Sequence, residues 1–214
     1  MKKVLAILLA VIMSLSLVAC GGGAGNGGNG GNGGNGGGST PTEGPKNPEI
    51  ALTDLVASII EKAGAELGMP FTSMSNEELQ NVLSQDEIPD TFMFPDFAWT
   101  EYEGSDPMWV NEMGGMSTKI KGKGIHAQGP MMPNNDIIIV RAPSVADVAS
   151  IKAELVEILK KNAWFCNFPE AIYVVDSGDY ILVVYSQSKD LCDAAVKAFD
   201  EIMDLPLGEK LSAI

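Results

Sequence analysis

Two apolar runs, Ile172-Tyr173-Val174-Val175 and Tyr180 to Tyr185, stand on either side of Asp176-Ser177-Gly178-Asp179. That connection is rich in turn formers and far too short for a crossover, so the two runs must pair as an antiparallel hairpin. A doubly wound parallel sheet is thereby excluded for this part of the chain. The neighbouring segments add to the same picture. Asp136 to Arg141, with Ile137-Ile138-Ile139-Val140 at its centre, predicts a strand, and Lys119 to Gln128 predicts another despite its glycines. Pro143-Ser144 opens a helix whose apolar positions Val145, Val148, Ile151, Leu155, Ile158 and Leu159 share one face, ending near Trp164. Ser188 caps a last helix carrying Leu191, Ala195, Val196, Phe199 and Ile202.

Upstream, Asn47-Pro48-Glu49 reads as a helix start with Asn47 as N-cap, followed by Leu52, Leu55, Val56, Ile59, Ile60, Ala63 and Leu67 at helical spacing. Gly68-Met69-Pro70 ends it. Ser75-Asn76-Glu77-Glu78 is a capping box for a short second helix running to about Ser84. Residues 86–118 read as irregular, punctuated by Pro89, Pro95, Gly104, Pro107 and Gly114. The order is two helices, a loop, then β(β)αββα. The expectation is an α+β two-layer sandwich, a mostly antiparallel sheet with helices on one face.

The foldable part is shorter than the chain. Residues 21–38 hold 13 Gly, four Asn and one Ala, with Asn-Gly-Gly four times in succession from Asn26. A period of three invites comparison with collagen, but the tract has no proline, so it reads as a flexible linker. Of the 214 residues, 168 follow Lys46, enough to bury about 70% of the unfolded surface without a disulfide or metal. Residues 1–19 have the layout of a removable export signal: Lys2-Lys3, then an apolar stretch too short to span a membrane comfortably.

Leu17-Val18-Ala19-Cys20 resembles the lipobox of bacterial lipoproteins. The resemblance implies cleavage before Cys20 and its modification by a diacylglyceryl thioether and further acylation of the palmitate type. Two or more acyl chains make a durable anchor. The domains expected are then a signal peptide over 1–19, the lipidated Cys20 with its tether over 20–46, and one extracytoplasmic domain over 47–214. From Cys20 to Lys46 the tether reaches roughly 27–31 Å root-mean-square. The expected location is the extracytoplasmic face of the cell membrane.

The run from Ile137 to Val140, through Ser144-Val145-Ala146-Asp147-Val148, to Gly178-Asp179-Tyr180-Ile181-Leu182-Val183-Val184 is similar to an uncharacterised lipoprotein family of clostridia and related Gram-positive bacteria. The similarity covers about residues 119–204 and consists of strand and helix pattern. The family, a domain of unknown function, lends no activity, and residues 70–118 depart from its shorter linker.

Charge narrows the partners. Without Lys2 and Lys3 the chain has 12 basic against 28 acidic residues, a formal −16, which repels phosphate backbones and argues against nucleic acid. Catalytic groups are sparse. The sole histidine, His126, leaves no room for His-based triads or paired-His metal sites. Gly122-Lys123-Gly124-Ile125-His126-Ala127 imitates a dinucleotide fingerprint without the flanking strand and helix that the chemistry needs. Ser186-Gln187-Ser188-Lys189 matches Ser-x-x-Lys, but its partner motifs are absent. Cys166 and Cys192 are either two buried thiols or a disulfide.

Two clusters remain. Phe92, Phe94, Phe97, Trp99, Tyr102 and Trp109 are interleaved with acids including Glu101 and Glu103. Trp99, Tyr102, Trp109, Glu101 and Glu103 are the candidate ligand or partner contacts, with loop packing as the plain alternative. Met108, Met113, Met116, Met131 and Met132 with His126 offer soft ligands for Cu(I), or simply adaptable core filling. The first reading is a non-enzymatic binding or envelope-accessory module for cell-wall material or an envelope protein, needing no cofactor. A cell-wall glycan or peptide hydrolase using 90–118 is the second, and copper capture the third.

Overall fold

The computed structural model describes residues 47, 49–102, 123–129, 135–161 and 168–214, and the backbone alone of 108–111 and 116–118. Two units divide the chain, 1–42 and 43–214, and the described residues all belong to the second. The strands are β1 (Ser73–Ser75), β2 (Phe97–Tyr102), β3 (Met108–Asn111), β4 (Met116–Thr118), β5 (Lys123–Gln128), β6 (Asp136–Arg141), β7 (Ala171–Ser177), β8 (Tyr180–Ser186) and β9 (Leu211–Ser212). The helices are α1 (Leu52–Glu66), α2 (Asn76–Leu83), α3 (Val148–Lys161) and α4 (Lys189–Ile202), with a 3₁₀ turn over Val145–Asp147.

Seven strands form one sheet in the order β1-β2-β5-β6-β8-β7-β9, and β3 pairs with β4 separately. Every pairing in the sheet is antiparallel except β1 with β2. The hairpin is as the sequence demands: Ser177 pairs with Tyr180, and Gly178 sits between at φ 60°. A primed two-residue turn needs that positive φ to match the twist of the strands. The α+β class, the mostly antiparallel sheet and the helices packed upon it follow the sequence pattern.

The placement of the helices differs from the expectation. α1 and α4 lie on one face, where Leu55, Ile59, Ala195 and Phe199 meet Ile137, Ile139, Leu182 and Val184. α3 lies on the other, where Ile151, Leu155 and Leu159 meet Ile138, Val174, Val183 and Tyr185. The sheet is therefore covered on both faces and there are two cores. The reason is legible in β6 and β8: both are continuous apolar runs buried at every turn of the pleat, the signature of a strand with no solvent face.

Three further corrections concern the first half. Residues 97–102, read as irregular, form β2, which pairs with β5 from Ala98–Gln128 to Tyr102–Gly124. The strand expected over Lys119–Gln128 is Lys123–Gln128, residues 119–122 lying outside the described set. Asn47 is not a helix cap: α1 begins at Leu52, and Ala51 at its N-cap makes no side-chain bond. Asn47 is instead buried at the hairpin turn, its Nδ2 donating to the Ser177 carbonyl (2.8 Å) and hydroxyl (3.1 Å). Its Oδ1 accepts from the backbone N–H of Asp204 and Leu205, each at 3.0 Å. The capping box of α2 is present as predicted, Ser75 accepting from Glu78 N–H and Glu78 accepting from Ser75 N–H.

The last twelve residues form a strap along the free edge of β7. Gly208 N–H donates to the Asp176 carbonyl and Ala213 N–H to that of Ile172, with β9 paired between them. A Cβ at Gly208 would stand 2.3 Å from Asp176 Oδ1, so only glycine lets the strap pass this close. Buried Lys152 from α3 ties the same place, bonding Asp176 and, at 2.5 Å, the Glu209 carbonyl.

Candidate functional site

The strand ends next to the hairpin turn enclose a cleft of about 300 Å³. Its charged walls are Glu49, Glu101, Lys123 and Arg141, and Tyr102, Ile50 and Leu52 complete much of its lining. Glu101 and Tyr102 are consecutive in β2 and so point to opposite sides of the sheet. Both reach the cleft because it wraps around the strand end. Lys123 and Arg141 are directly opposite each other in the β5–β6 register and project on the same side.

The walls are fixed by a hydrogen-bonded network. Arg141 donates from Nε to Asp179 Oδ2 (3.0 Å) and from Nη1 to Glu49 Oε1 (2.8 Å), and its guanidinium carbon lies 5.3 Å from the Tyr180 ring centre. The Asp179 bond, above all, raises the Arg141 pKa against the opposing effect of burial. The Tyr180 hydroxyl accepts from Ile50 N–H (3.0 Å) and donates to the Ile50 carbonyl (3.3 Å), pinning the segment that carries Glu49. Asp179 Oδ1 is buried and has no partner among the described residues, so this carboxylate spends its bonding on Arg141.

The sequence candidates are dispersed by this geometry. Glu101 and Tyr102 line the cleft. Trp99 is half-buried against the α1–α4 core, and Phe97 is buried within it, 5.8 Å edge-on from Phe71. Phe92 and Phe94 are half-buried and touch edge to face at 5.3 Å. Trp109 lies on β3, where the backbone alone is described, and Glu103, Cys20 and Cys166 lie outside the described residues. Glu49, Lys123 and Arg141 were missed as site residues. Alternation within β5 and β6 assigns Lys123 and Arg141 to one face, but the register that places them side by side is a long-range property.

A second polar feature sits at the opposite end of β5. His126 Nε2 lies 2.6 Å from Asp136 Oδ1, and both side chains are almost wholly buried. Burial raises the Asp136 pKa, while the bond and charge of His126 and the side chains of Tyr185 and Gln128 pull it down. Asp136 opens an otherwise apolar strand, which was the available signal. His126 is thus a core histidine, and of the methionines once grouped with it Met108 and Met116 lie on β3 and β4, while Met113, Met131 and Met132 lie outside the described residues.

The remaining motifs resolve into packing. Ser186 is buried, donating to Asn135 Oδ1 (2.5 Å) and accepting from Ser188 N–H (2.9 Å), while Lys189 pairs with Asp193 on the surface of α4. The fingerprint around Gly124 is an antiparallel strand followed by another strand, which offers no helix end to a pyrophosphate. Cys192 is buried and reduced, its thiol bonding the Ala171 carbonyl, and burial pushes its pKa up to about 12. Such a thiol carries almost no thiolate and is unreactive. Among the described residues no three His, Cys, Asp or Glu side chains gather as a metal site, and no helix is long and apolar enough to cross a membrane. No known protein family, characterised protein or solved structure matches the chain.

Proposed function

We propose that the chain is a lipid-anchored, extracytoplasmic binding module that works without catalysis, tied to the membrane through Cys20 and presenting the domain of 47–214 on a Gly/Asn tether. The observation that carries this reading is Leu17-Val18-Ala19-Cys20 placed between an apolar export segment and an 18-residue tract of Gly, Asn and Ala. An acylated cysteine needs a tether of this kind to hold a folded domain clear of headgroups. The kinship with the Gram-positive lipoprotein family rests on the pattern of 119–204 and belongs to the same proposal. Cell-wall material or an envelope protein is the partner expected at this location. The cleft beside Glu101 and Tyr102 is the natural place for contact, as its wall includes Arg141, held by Asp179 and Glu49. In growing cells a fatty-acid probe should label the wild type and miss Cys20→Ala; equal labelling would remove the anchor from the proposal.

One observation favours a second reading, a hydrolase: Glu49 and Glu101 share the cleft. Glycoside hydrolysis needs one carboxyl kept protonated and the other ionised, which requires unlike surroundings. Both side chains here face water, Glu49 at 82% exposure, and Glu49 is already bonded to Arg141. Turnover of a cell-wall glycan that is abolished by Glu101→Gln would establish the hydrolase over the binding module.

A further inference from the structure

A second concavity, along α1 and apart from the cleft, adds to the binding reading without depending on the lipid anchor. We propose that this groove docks a cationic amphipathic helix of a partner protein.

The groove encloses about 500 Å³. Ala57, Glu61 and Ala65 recur at every fourth position of α1 and form one wall, while Gly68 to Phe71 with Ser73 form the other. The second wall is built by the way α1 ends. Gly68 adopts φ 69°, its N–H donates to the Ala65 carbonyl (3.1 Å), and Met69 N–H donates to that of Gly64 (2.8 Å). These are the two bonds of a Schellman closure, which commonly buries the residue after the glycine against the helix. Here its partner in the helix is Gly64, which has no side chain to offer, and Met69 stays 52% exposed. A Cβ at Gly64 would stand 2.7 Å from Phe71 N, so the returning chain is seated directly on the helix. The groove is thus formed before any partner arrives, and little order is lost on docking.

Charge selects the occupant. Asp54 lies seven residues before Glu61, two turns up the same side of α1 and about 10 Å along its axis. Both are exposed, and neither side chain has a partner among the described residues. Lys62, the nearest base, turns the other way and bonds Glu201 (3.0 Å). No base lines the groove among the described residues, and between Lys62 and Lys119 the sequence holds eleven acids and no Lys, Arg or His. A second copy of this acidic chain, or an anionic bilayer, would bring negative charge to a negative rim. A helix that is apolar on one side and basic on its flank answers both features. Its apolar side chains meet Ala65, Met69 and Phe71, and bases at a seven-residue interval meet Glu61 and Asp54.

The test is fluorescence anisotropy of a labelled peptide of two Leu-Lys-Lys-Leu-Leu-Lys-Leu repeats, titrated with the full-length chain carrying Cys20→Ser. The control peptide has the same composition with Leu and Lys in alternation, a pattern that gives a helix no apolar side. Saturable binding about tenfold tighter than the control is expected. Glu61→Lys, which reverses the rim charge, and Ala65→Trp, which fills the groove, should each weaken it about tenfold. Glu154→Lys makes the same change of net charge on α3 and should leave the affinity within about twofold. All three side chains are exposed, so melting temperatures should stay close to wild type and report that the fold is intact. No saturable binding, equal binding of the alternating peptide, or equal losses in Glu61→Lys and Glu154→Lys would overturn the proposal, the last by reducing it to attraction between net charges. Fatty-acid labelling at Cys20 reads the anchor separately, so either claim can fail alone.

Discussion

The two faces of the sheet are built on different terms. Beneath α1 and α4 the buried side chains are mostly apolar, from Leu55 and Ile59 to Phe199, and the polar ones that share the face, Ser177 and Ser186, are uncharged. Beneath α3 the aliphatic core of Leu155, Ile138 and Val183 shares its face with the buried ionisable groups His126, Asp136 and Lys152. Each of these has a partner: His126 and Asp136 hold one another, and Lys152 holds Asp176 and a carbonyl of the C-terminal strap. The first face draws its stability from area removed from water, the second from area together with polar contacts that are costly to break singly. A face of the first kind tolerates changes in shape more readily than a loss of one partner is tolerated on the second.

The largest effects test whether the faces are separate. Phe199→Ala should cost about 3–5 kcal/mol and Leu155→Ala about 2–5 kcal/mol. With the sheet between them, the double variant should lose the sum to within about 0.5 kcal/mol in chemical denaturation. A larger discrepancy would merge the two cores into one.

Next comes the polar pair. His126→Ala leaves the Asp136 carboxyl buried without its partner and should cost about 3–5 kcal/mol. Asp136→Asn sharpens the point through pH. Because burial lifts the folded pKa of Asp136 above its ordinary value, the folded chain holds that proton more tightly than the unfolded chain does. The stability this contributes is present in full below pH about 4 and is lost as pH rises through the folded value. Asparagine cannot ionise, so Asp136→Asn should gain on the wild type between pH 4 and 7 in urea midpoints measured across that range. Parallel profiles for the two would contradict the account of this face.

Gly178→Ala affects both faces at once, since β7 and β8 supply each. The substitution demands a positive φ from alanine and sets a Cβ 2.9 Å from Asn47 Nδ2, for an expected loss of about 1–3 kcal/mol with an unchanged denaturant slope. The smallest effect should come from Ser75→Ala, which removes the α2 cap for about 1 kcal/mol and lies outside both cores. In hydrogen exchange it should speed the amides of α2 and leave those of β6 and β8 alone.

What could be read from the sequence divides along the same lines. β6, the β7–β8 hairpin, the α2 capping box and the amphipathic faces of α3 and α4 are local patterns, and each is found where the pattern places it. β2 was hidden because Pro95 and the acids around it read as loop, and its partner β5 lies some 26 residues away in register. Asn47 has every local mark of a helix cap, yet four tertiary bonds outbid the one that capping offers. Of the cleft, Glu101 and Tyr102 were visible as an acid beside an aromatic. Glu49, Lys123 and Arg141 join them only through register and through the Tyr180 hydroxyl, which no short window of sequence reveals.

The Asn47 clamp has a mechanical consequence at the place where the described domain begins. A single amide side chain grips the hairpin at Ser177 and the end of the last helix at Asp204 and Leu205. A pull on the chain at Asn47 therefore loads several bonds at once, at a junction between elements from opposite ends of the fold. Pulled from that point, the domain should yield as a unit and not fray from one end.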